Sequence, residues 1–170
     1  MHTVNAIGDD LDAPTAEAFL QNLLDAGAVP APLIRIMASA LGEGALRPQL
    51  EALIRQHNLE GRFVLLGARE NPYPFLRQCD IYVHATYFEG WSIAVAEAKV
   101  LCRPIVASDI TGIREQLTNE TAVIIPPEPD ALTGALRRLV DSPDLRAALS
   151  RSLDGDWRLN NDLYKLYGLL

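Results

Sequence analysis

The chain has 170 residues, of which 49% are hydrophobic and 22% are charged, and its formal net charge is −7. This length and apolar content predict one compact domain that buries a sizeable core without disulfides or a metal. The acidic balance argues against nucleic acid as a partner, because phosphate backbones are bound by clustered Lys and Arg, but it does not exclude a small anionic ligand.

Apolar runs of strand length alternate along the chain with segments of helical period. Strands that alternate with helices predict right-handed β-α-β units and a parallel sheet, so the predicted fold class is doubly wound α/β. The predicted strands lie at 3–8, 33–40, 62–67, 80–85, 104–108 and 121–127. The predicted helices lie at 15–26, 45–57, 74–78, 92–101 and 113–118, followed by one that Asp130 caps and one that Ser142 caps before Pro143.

The first residues of the chain and its two cysteines indicate the cellular compartment. Residues 1–12 contain no basic stretch and no long apolar stretch, so they do not predict a signal peptide, and no apolar run approaches the ~18 residues that span a bilayer. Cys79 and Cys102 lie in apolar surroundings and are predicted to be buried free thiols rather than a disulfide pair or metal ligands. Together these features predict a cytoplasmic protein.

Ligands of doubly wound folds bind beyond the carboxyl ends of the strands, and the strand predicted at 80–85 is followed there by TYFEGWS. Ser92 is a candidate N-cap, which would leave the amides of Ile93 and Ala94 free at the positive end of the helix dipole. Such a helix start binds phosphate groups, and Gly90 would let a ligand approach the backbone closely. The stretch therefore predicts an anion site.

Two glutamates flank this predicted anion site. Glu89 precedes the helix, and Glu97 lies about one and a half turns inside it at a rise of ~1.5 Å per residue. A carboxylate among apolar residues is costly unless something hydrogen-bonds it. The hydroxyls of a nucleotide sugar would do so, with Glu97 accepting from a ribose and Glu89 from the sugar. The alternative is that Glu97 pairs with an arginine while Glu89 is solvated.

Three further loops follow predicted strands and should lie at the same edge of the sheet. Each is weak evidence alone, because tight turns between strands and helices commonly contain glycine and a lone arginine is usually a solvated surface residue. These loops are LGEGALRP (41–48) with Gly42 and Gly44, GAREN (67–71) with Arg69, and SDITGIREQL (108–117) with Gly112.

Residues 33–153 resemble the C-terminal, donor-binding domain of glycosyltransferase family 4, retaining enzymes of the GT-B architecture that include the bacterial polysaccharide type, glycosyl transferase group 1. Glu89 and Glu97 match the family's E-x7-E signature, and NNDLYKLYGLL (160–170) resembles its closing helix. The matching segments are LGEGALRPQLEALI, FVLLGARENPYPFLRQCDIYVHATYFEGWSIAVAEA, PIVASDITGIREQL and VIIPPEPDALTGAL. The resemblance divides the chain into a divergent or truncated first strand-helix unit (1–32), a nucleotide-sugar-binding Rossmann-like domain (33–153) and a C-terminal helix (154–170).

The resemblance implies a binding site for a nucleotide diphosphate sugar, UDP- or GDP-linked, with no metal and no other cofactor. Glu89 would be the catalytic residue that contacts the transferred sugar, and Glu97 would bind the ribose. The amides of residues 90–94 would hold the diphosphate, and the loop after Gly67 would border the base. The donor-binding residues so implied are Glu97, Gly90, Trp91, Ser92, Ile93, Ala94, Gly42, Gly44 and Arg69.

Two more residues near this site have two interpretations each. His84, near the end of a predicted strand, is either a general base or a partly buried wall residue. Trp91, which is bulky between Gly90 and Ser92, either covers the donor sugar or packs against a neighbouring loop.

The chain departs from the family in two ways. A GT-B enzyme holds its acceptor between two Rossmann-like domains, and only one fits here, so acceptor binding and any peripheral membrane association would belong to a separate or missing half. An exposed apolar patch is expected where that half would dock. Residues 1–32, where the family has an Arg and a Lys on the diphosphate, contain neither. We therefore expect the chain alone to have negligible transferase activity.

Three functions stay open on the sequence. The first is the donor domain of a hexosyltransferase that acts on a glycan or lipid-linked acceptor when combined with an acceptor domain, and the intact pair Glu89 and Glu97 favours it. The second is a truncated or degenerate non-catalytic module for nucleotide-sugar binding or interaction, which the acidic region 1–32 favours. The third, a phosphosugar isomerase or epimerase on a similar scaffold, would need further acid-base groups, for which only His84 is an obvious candidate.

Overall fold

The computed structural model of the chain describes the backbone of residues 2–7, 36–41, 44–45 and 47–159, and the side chains of residues 44–45 and 47–154. These ranges include the six strands and, apart from residues 42, 43 and 46, the loops at which the sequence predicts a site. Three predictions lie outside them: the helix at 15–26, the role of Gly42, and the resemblance of residues 160–170 to a closing helix.

A parallel sheet forms the centre of the fold. In the described part of the chain its strands are β1 (His2–Ile7), β2 (Ile36–Leu41), β3 (Phe63–Gly67), β4 (Ile81–His84), β5 (Ile105–Ser108) and β6 (Val123–Ile125). They lie in the order β3-β2-β1-β4-β5-β6, and each neighbouring pair is parallel. The chain order reverses between β1 and β4, which is the kind of switch point at which doubly wound sheets bind ligands. The predicted fold class is confirmed.

Helices follow the strands along the described chain. They are α1 (Arg47–Gln56), α2 (Tyr73–Gln78), α3 (Ile93–Val100), α4 (Thr111–Arg114), α5 (Pro129–Asp141) and α6 (Pro143–Leu159). Helices α1, α2 and α3 lie within one or two residues of their predicted bounds, because each has a periodic apolar face or a local start signal. Helix α4 and the first residues of α5 differ from the prediction.

Helix α4 (Thr111–Arg114) overlaps the predicted range 113–118 only at Ile113 and Arg114. Ile110 has an extended backbone (φ −133°, ψ 159°), and its carbonyl oxygen accepts from the amides of Ile113 and Arg114 at 3.1 and 3.0 Å. These hydrogen bonds start the helix at Thr111. The helix therefore begins two residues earlier and ends four residues earlier than predicted, and Gly112 lies at its start, as predicted.

Prolines set two other boundaries of the fold. Strand β6 ends at Ile125 rather than at the predicted residue 127, because Pro126 and Pro127 have no N–H to donate to a neighbouring strand. Helix α5 has Pro129 at its first position, where the fixed φ of proline suits a helix start. Asp130 therefore lies inside the first turn, and the prediction that it caps α5 is wrong.

Helix α6 begins as predicted. The hydroxyl oxygen of Ser142 accepts from the amide of Leu145 at 3.2 Å, directly before Pro143. The helix then runs without interruption through residue 154, where the predicted C-terminal helix was expected to start, to Leu159. None of the described helices, α6 included, combines the length and the apolar character needed to cross a bilayer.

Two hydrophobic clusters pack on opposite faces of the sheet. Alternate residues of a strand point to opposite faces, and in β4 the side chains of Ile81 and Val83 belong to one cluster while Tyr82 belongs to the other. Helices α1 and α5 cover the first face, and α2, α3 and α4 cover the second. Because each fully buried large apolar side chain contributes about 1.5–3 kcal/mol, these clusters fix the strand ends that carry the site.

Both cysteines are free thiols, as predicted. Cys79 is buried, and burial raises the pKa of its thiol to about 12, so it is a neutral packing group near neutral pH. Cys102 is only partly buried and has a positive φ of 51°. The prediction of burial is therefore right for Cys79 and wrong for Cys102.

Candidate functional site

The loop over residues 85–92 joins β4 to α3 at the carboxyl edge of the sheet. Ser92 has an extended backbone (φ −85°, ψ 113°), and its hydroxyl oxygen accepts from the amide of Val95 at 3.3 Å. Its carbonyl oxygen accepts from the amide of Ala96 at 3.1 Å. This geometry confirms that Ser92 is the N-cap of α3.

The first amides of α3 differ in what they can still bind. Those of Ile93 and Ala94 have no acceptor among the described residues, as the first turn of a helix leaves them unless a side chain or ligand accepts. The amide of Ser92 donates to the side-chain oxygen of Gln116 at 2.8 Å. The Ser92 amide is therefore not available to a diphosphate, although it belongs to the predicted set of amides at residues 90–94.

No pattern in the sequence pointed to Gln116, which packs against this loop. Its side chain is buried. The side-chain nitrogen donates to the carbonyl oxygen of Ser92 at 2.8 Å, while the side-chain oxygen accepts from the Ser92 amide. Lys99 in turn donates to the main-chain oxygen of Gln116 at 2.7 Å. One side-chain amide therefore pairs with both main-chain groups of the N-cap residue and fixes where α3 begins.

Two glycines at this loop have opposite surroundings. A Cβ on Gly112 would lie 2.0 Å from the carbonyl oxygen of Gly90 and 2.3 Å from that of Glu89, so α4 approaches the loop too closely to carry a side chain there. A Cβ on Gly90 would meet no described atom within 4 Å. The described chain therefore requires glycine at position 112 but not at position 90, where the space in front of the backbone is open.

Glu89 is exposed in part and hydrogen-bonded to a histidine. Its Oε2 lies 3.0 Å from Nε2 of His84, whose Nδ1 lies 3.1 Å from the hydroxyl of Tyr82. Tyr82 and His84 are buried in β4, whereas the side chain of Glu89 is 29% exposed. Glu89 is therefore not simply solvated. His84 is buried rather than partly buried, and each of its ring nitrogens lies within hydrogen-bonding distance of another side chain.

Glu97 lies inside α3, partly buried, and accepts a hydrogen bond from the neighbouring helix. The hydroxyl of Tyr73, in α2, donates to Glu97 Oε1 at 3.0 Å. This oxygen therefore accepts a hydrogen bond from a neutral hydroxyl, and the alternative that Glu97 pairs with an arginine stays a prediction.

Comparison with protein families identifies the family to which this chain belongs. The sequence model of the family "Glycosyl transferases group 1" matches residues 21–153. The chain belongs to this family. One curated relative is the N-acetylgalactosamine-N,N'-diacetylbacillosaminyl-diphospho-undecaprenol 4-alpha-N-acetylgalactosaminyltransferase of Campylobacter jejuni. This chain is 38% identical to it over 101 residues, and the match covers 54% of this chain and 28% of that enzyme.

Solved structures share the fold of this group 1 chain. The Anabaena protein HepE, in complex with UDP, superposes with a TM-score of 0.76 at 17% identity, over 99% of this chain and 49% of its own. The C-terminal domain of the glycosyl transferase group 1 family protein LpcC of Francisella tularensis superposes with a TM-score of 0.72 at 17% identity, over 98% of this chain and 85% of that domain. The fold is thus consistent with the Rossmann-like C-terminal domain of a GT-B glycosyltransferase, and the chain spans about half of the longer structure.

The remaining predicted site residues of the group 1 chain lie at the same sheet edge. Gly44 is exposed before α1, with open space where a Cβ would be. The guanidinium carbon of Arg69 lies 5.9 Å from the ring centroid of Phe75, in the helix α2 that also carries Tyr73. Their roles in donor binding stay predictions. Within the described residues no group of three or more His, Cys, Asp or Glu side chains is placed to hold a metal ion, and the absence of a metal from the reaction also stays a prediction.

Four large apolar side chains are exposed on the loop and at the start of α3. Phe88 is 89% exposed, Trp91 55%, Ile93 54% and Tyr87 50%. The exposure of Trp91 disagrees with the interpretation that it packs against a neighbouring loop. Apolar side chains exposed together commonly mark a binding surface, and these lie in the same loop as Glu89.

Arg114 is engaged on the protein surface. Its Nε and Nη2 donate to the two carboxylate oxygens of Asp109 at 2.6 and 2.8 Å, and its Nη1 donates to Asn119 Oδ1 at 3.0 Å. The hydrogen bond from Arg114 lowers the pKa of Asp109, and the same bond raises the pKa of Arg114. Because the Arg114 guanidinium is hydrogen-bonded to Asp109 and Asn119, it does not supply a free positive charge near the start of α3.

Proposed function

We propose that this chain is the donor-binding domain of a retaining, family 4-like hexosyltransferase that takes its sugar from a UDP- or GDP-linked donor. One observation carries the proposal: the open amides at the start of α3 lie between two oriented carboxylates. Glu89 is oriented by His84 in front of the helix, and Glu97 is oriented by Tyr73 inside it. Membership of the group 1 family supports the same conclusion.

This arrangement suits a nucleotide diphosphate sugar laid across the N-terminus of α3. The diphosphate would accept hydrogen bonds from the amides of Ile93 and Ala94, at the positive end of the helix dipole. Glu97 would accept from the ribose hydroxyls. Glu89 would contact the transferred sugar, on which positive charge develops as the diphosphate leaves. No metal and no other cofactor is part of the proposal.

A second half would bind the acceptor. The match covers 28% of the Campylobacter relative, and the fold covers 49% of the Anabaena protein. The proposed enzyme therefore includes an acceptor-binding Rossmann-like domain, in the same polypeptide or in another, and a glycan or lipid-linked acceptor. Tyr87, Phe88 and Trp91 lie exposed at the edge that such a domain would face. We place the enzyme in the cytoplasm, with any membrane contact made through that half.

A non-catalytic module is the second candidate function. Residues 1–32 contain five acidic residues and no Lys or Arg. Where the family resemblance places an Arg and a Lys on the diphosphate, acidic residues would repel it. Such a chain would keep the fold and bind a nucleotide sugar weakly or not at all.

Thermal unfolding with and without nucleotides separates the two candidates. A ligand that binds only the native state at about a hundred times its Kd stabilises it by about 2.7 kcal/mol, so UDP, GDP or their sugars should raise the Tm. Glu97→Ala should abolish the increase, because it removes the ribose acceptor. Glu60→Ala should leave it unchanged, since Glu60 is exposed in the turn before β3, at the opposite edge of the sheet. No increase with any of these nucleotides at millimolar concentration would favour the non-catalytic module.

A further inference from the structure

His84 is a buried titratable residue at the centre of the site. It is 5% exposed and lies two residues after the fully buried Tyr82, on the same face of β4. The two rings stack at 27° with their centroids 6.1 Å apart. The imidazole therefore links a hydroxyl in the core to the carboxylate of Glu89 at the surface, through contacts of 3.1 and 3.0 Å.

These contacts place a proton on one ring nitrogen. An ionised carboxylate can only accept hydrogen bonds, so Nε2 of His84 must donate to Glu89 Oε2. With that proton in place, Nε2 has no lone pair that could take a proton from a substrate. Nδ1 faces the hydroxyl of Tyr82, which can either donate or accept, and this contact restricts rotation of the ring. The geometry therefore points away from a general base.

We propose that His84 is a positioning residue, which orients the Glu89 carboxylate toward the transferred sugar and is itself oriented by Tyr82. This inference rests on the proposed function, which assigns the sugar to Glu89. With Oε2 bonded to His84, Oε1 of Glu89 has no partner among the residues that the structure describes, and the side chain is 29% exposed. A carboxylate that is already ordered loses less rotational freedom when a ligand binds, which favours affinity.

A positioning role predicts that substitution of His84 weakens binding of the nucleotide sugar but not of the nucleotide diphosphate, whereas a merely structural role predicts that both weaken. Calorimetric titration with UDP and UDP-glucose, and with GDP and GDP-mannose, compares the nucleotide diphosphate alone with the nucleotide sugar. His84→Leu should weaken binding of the nucleotide sugar about tenfold, because it removes a hydrogen bond to a charged group, and should leave binding of the diphosphate within about twofold. His84→Gln, whose amide nitrogen can donate to Glu89, should recover most of the loss.

A second histidine supplies the control. Nε2 of His57 is buried and has no hydrogen-bond partner within the described chain, and His57→Leu should change neither affinity. Equal losses for both ligands in His84→Leu, or an unchanged affinity for the nucleotide sugar, would overturn the positioning role. If the wild-type chain bound neither nucleotide diphosphates nor nucleotide sugars, the proposed function would be refuted. The role of His84 toward a sugar would then be refuted as well.

Nitrogen-15 NMR of the histidine rings tests the hydrogen bond without any ligand. The signal of His84, assigned by its loss in His84→Gln, should show a proton on Nε2. Glu89→Gln and Tyr82→Phe should each shift the His84 signals and leave those of His57 in place. A His84 ring that is protonated on Nδ1 alone would overturn the inference, because Nε2 could not then donate to Glu89.

Discussion

At the scale of single residues, Gly112 sets the distance between α4 and the loop that carries Glu89. A Cβ on Gly112 would lie 2.0 Å from the carbonyl oxygen of Gly90, and a main-chain carbonyl cannot move aside as a flexible side chain can. Gly112→Ala should therefore destabilise the fold by about 1–3 kcal/mol, the usual cost of overpacking, and should displace Glu89. Urea denaturation measures the first effect, and the affinity for a nucleotide sugar measures the second.

Gly134 is the matched control for this substitution. It lies within α5, and a Cβ there would meet no described atom within 4 Å. Gly134→Ala should stabilise the chain by about 0.5–1 kcal/mol, because glycine in a helix loses more conformational freedom on folding than alanine does. If Gly112→Ala proved as stable as Gly134→Ala, close packing of α4 could not be what positions the loop.

At the scale of elements, the start of α3 is fixed from outside the helix. Gln116→Leu removes the acceptor of the buried Ser92 amide, and an unsatisfied buried donor costs about 1–3 kcal/mol. The loop should become less ordered, so the amides of Ile93 and Ala94 should bind a diphosphate less well. We expect the free energy of unfolding and the affinity for UDP or GDP to fall together, and the Ser92 amide to exchange its hydrogen faster.

Gln56→Leu serves as the control for Gln116→Leu, since Gln56 is exposed at the end of α1. Surface substitutions of this kind usually change stability by less than about 0.5 kcal/mol, and this one lies outside the site. A Gln116→Leu chain with the stability and the nucleotide affinity of the wild type would contradict the supporting role of Gln116.

Elements with local sequence signals could be predicted, and those without could not. Strand β4 is a run of apolar residues, and α3 has a serine N-cap followed by apolar residues, so both were placed within one residue. Helix α4 has four residues and no side-chain hydrogen bond at its N-cap, Ile110. Helix α4 is stabilised by its contacts with the loop over residues 85–92 and with the second hydrophobic cluster. Contacts of this kind produce no local pattern in the sequence.

Side-chain partners across the site were beyond sequence reasoning for a different physical reason. Glu97 could be singled out because a carboxylate among apolar residues needs a donor. The donor, Tyr73, is 24 residues earlier, and Gln116 is 24 residues after its partner Ser92. The order of strands in the sheet brings these residues together, and periodicity along the chain does not encode that order. His84 lies near the end of a predicted strand, but nothing in the sequence indicates its contact with Glu89.

At the scale of the whole molecule, positive charge is scarce where a diphosphate would bind. Residues 1–32 contain no Lys or Arg, Arg114 is paired with Asp109, and Lys99 donates to the main chain at Gln116. At the start of α3 the donors offered to the proposed ligand are therefore uncharged amides, and Arg69 is the cation among the predicted donor-binding residues. Amides of this kind can bind a diphosphate, but they neutralise a departing one less well than cations do.

We therefore expect the purified chain to transfer sugar at a negligible rate when no second protein is present. Loss of one preorganised donor to a developing charge costs about 10²–10³ in kcat. Residues 1–32 contain neither of the two basic residues that the family resemblance implies, and these 170 residues would supply one domain of the proposed two-domain enzyme. Release of UDP from UDP-glucose, or of GDP from GDP-mannose, should stay at background in a coupled assay in which a two-domain glycosyltransferase of known activity gives a clear signal. Robust transfer by the chain alone would show that the amides of α3 and the two glutamates are sufficient for catalysis.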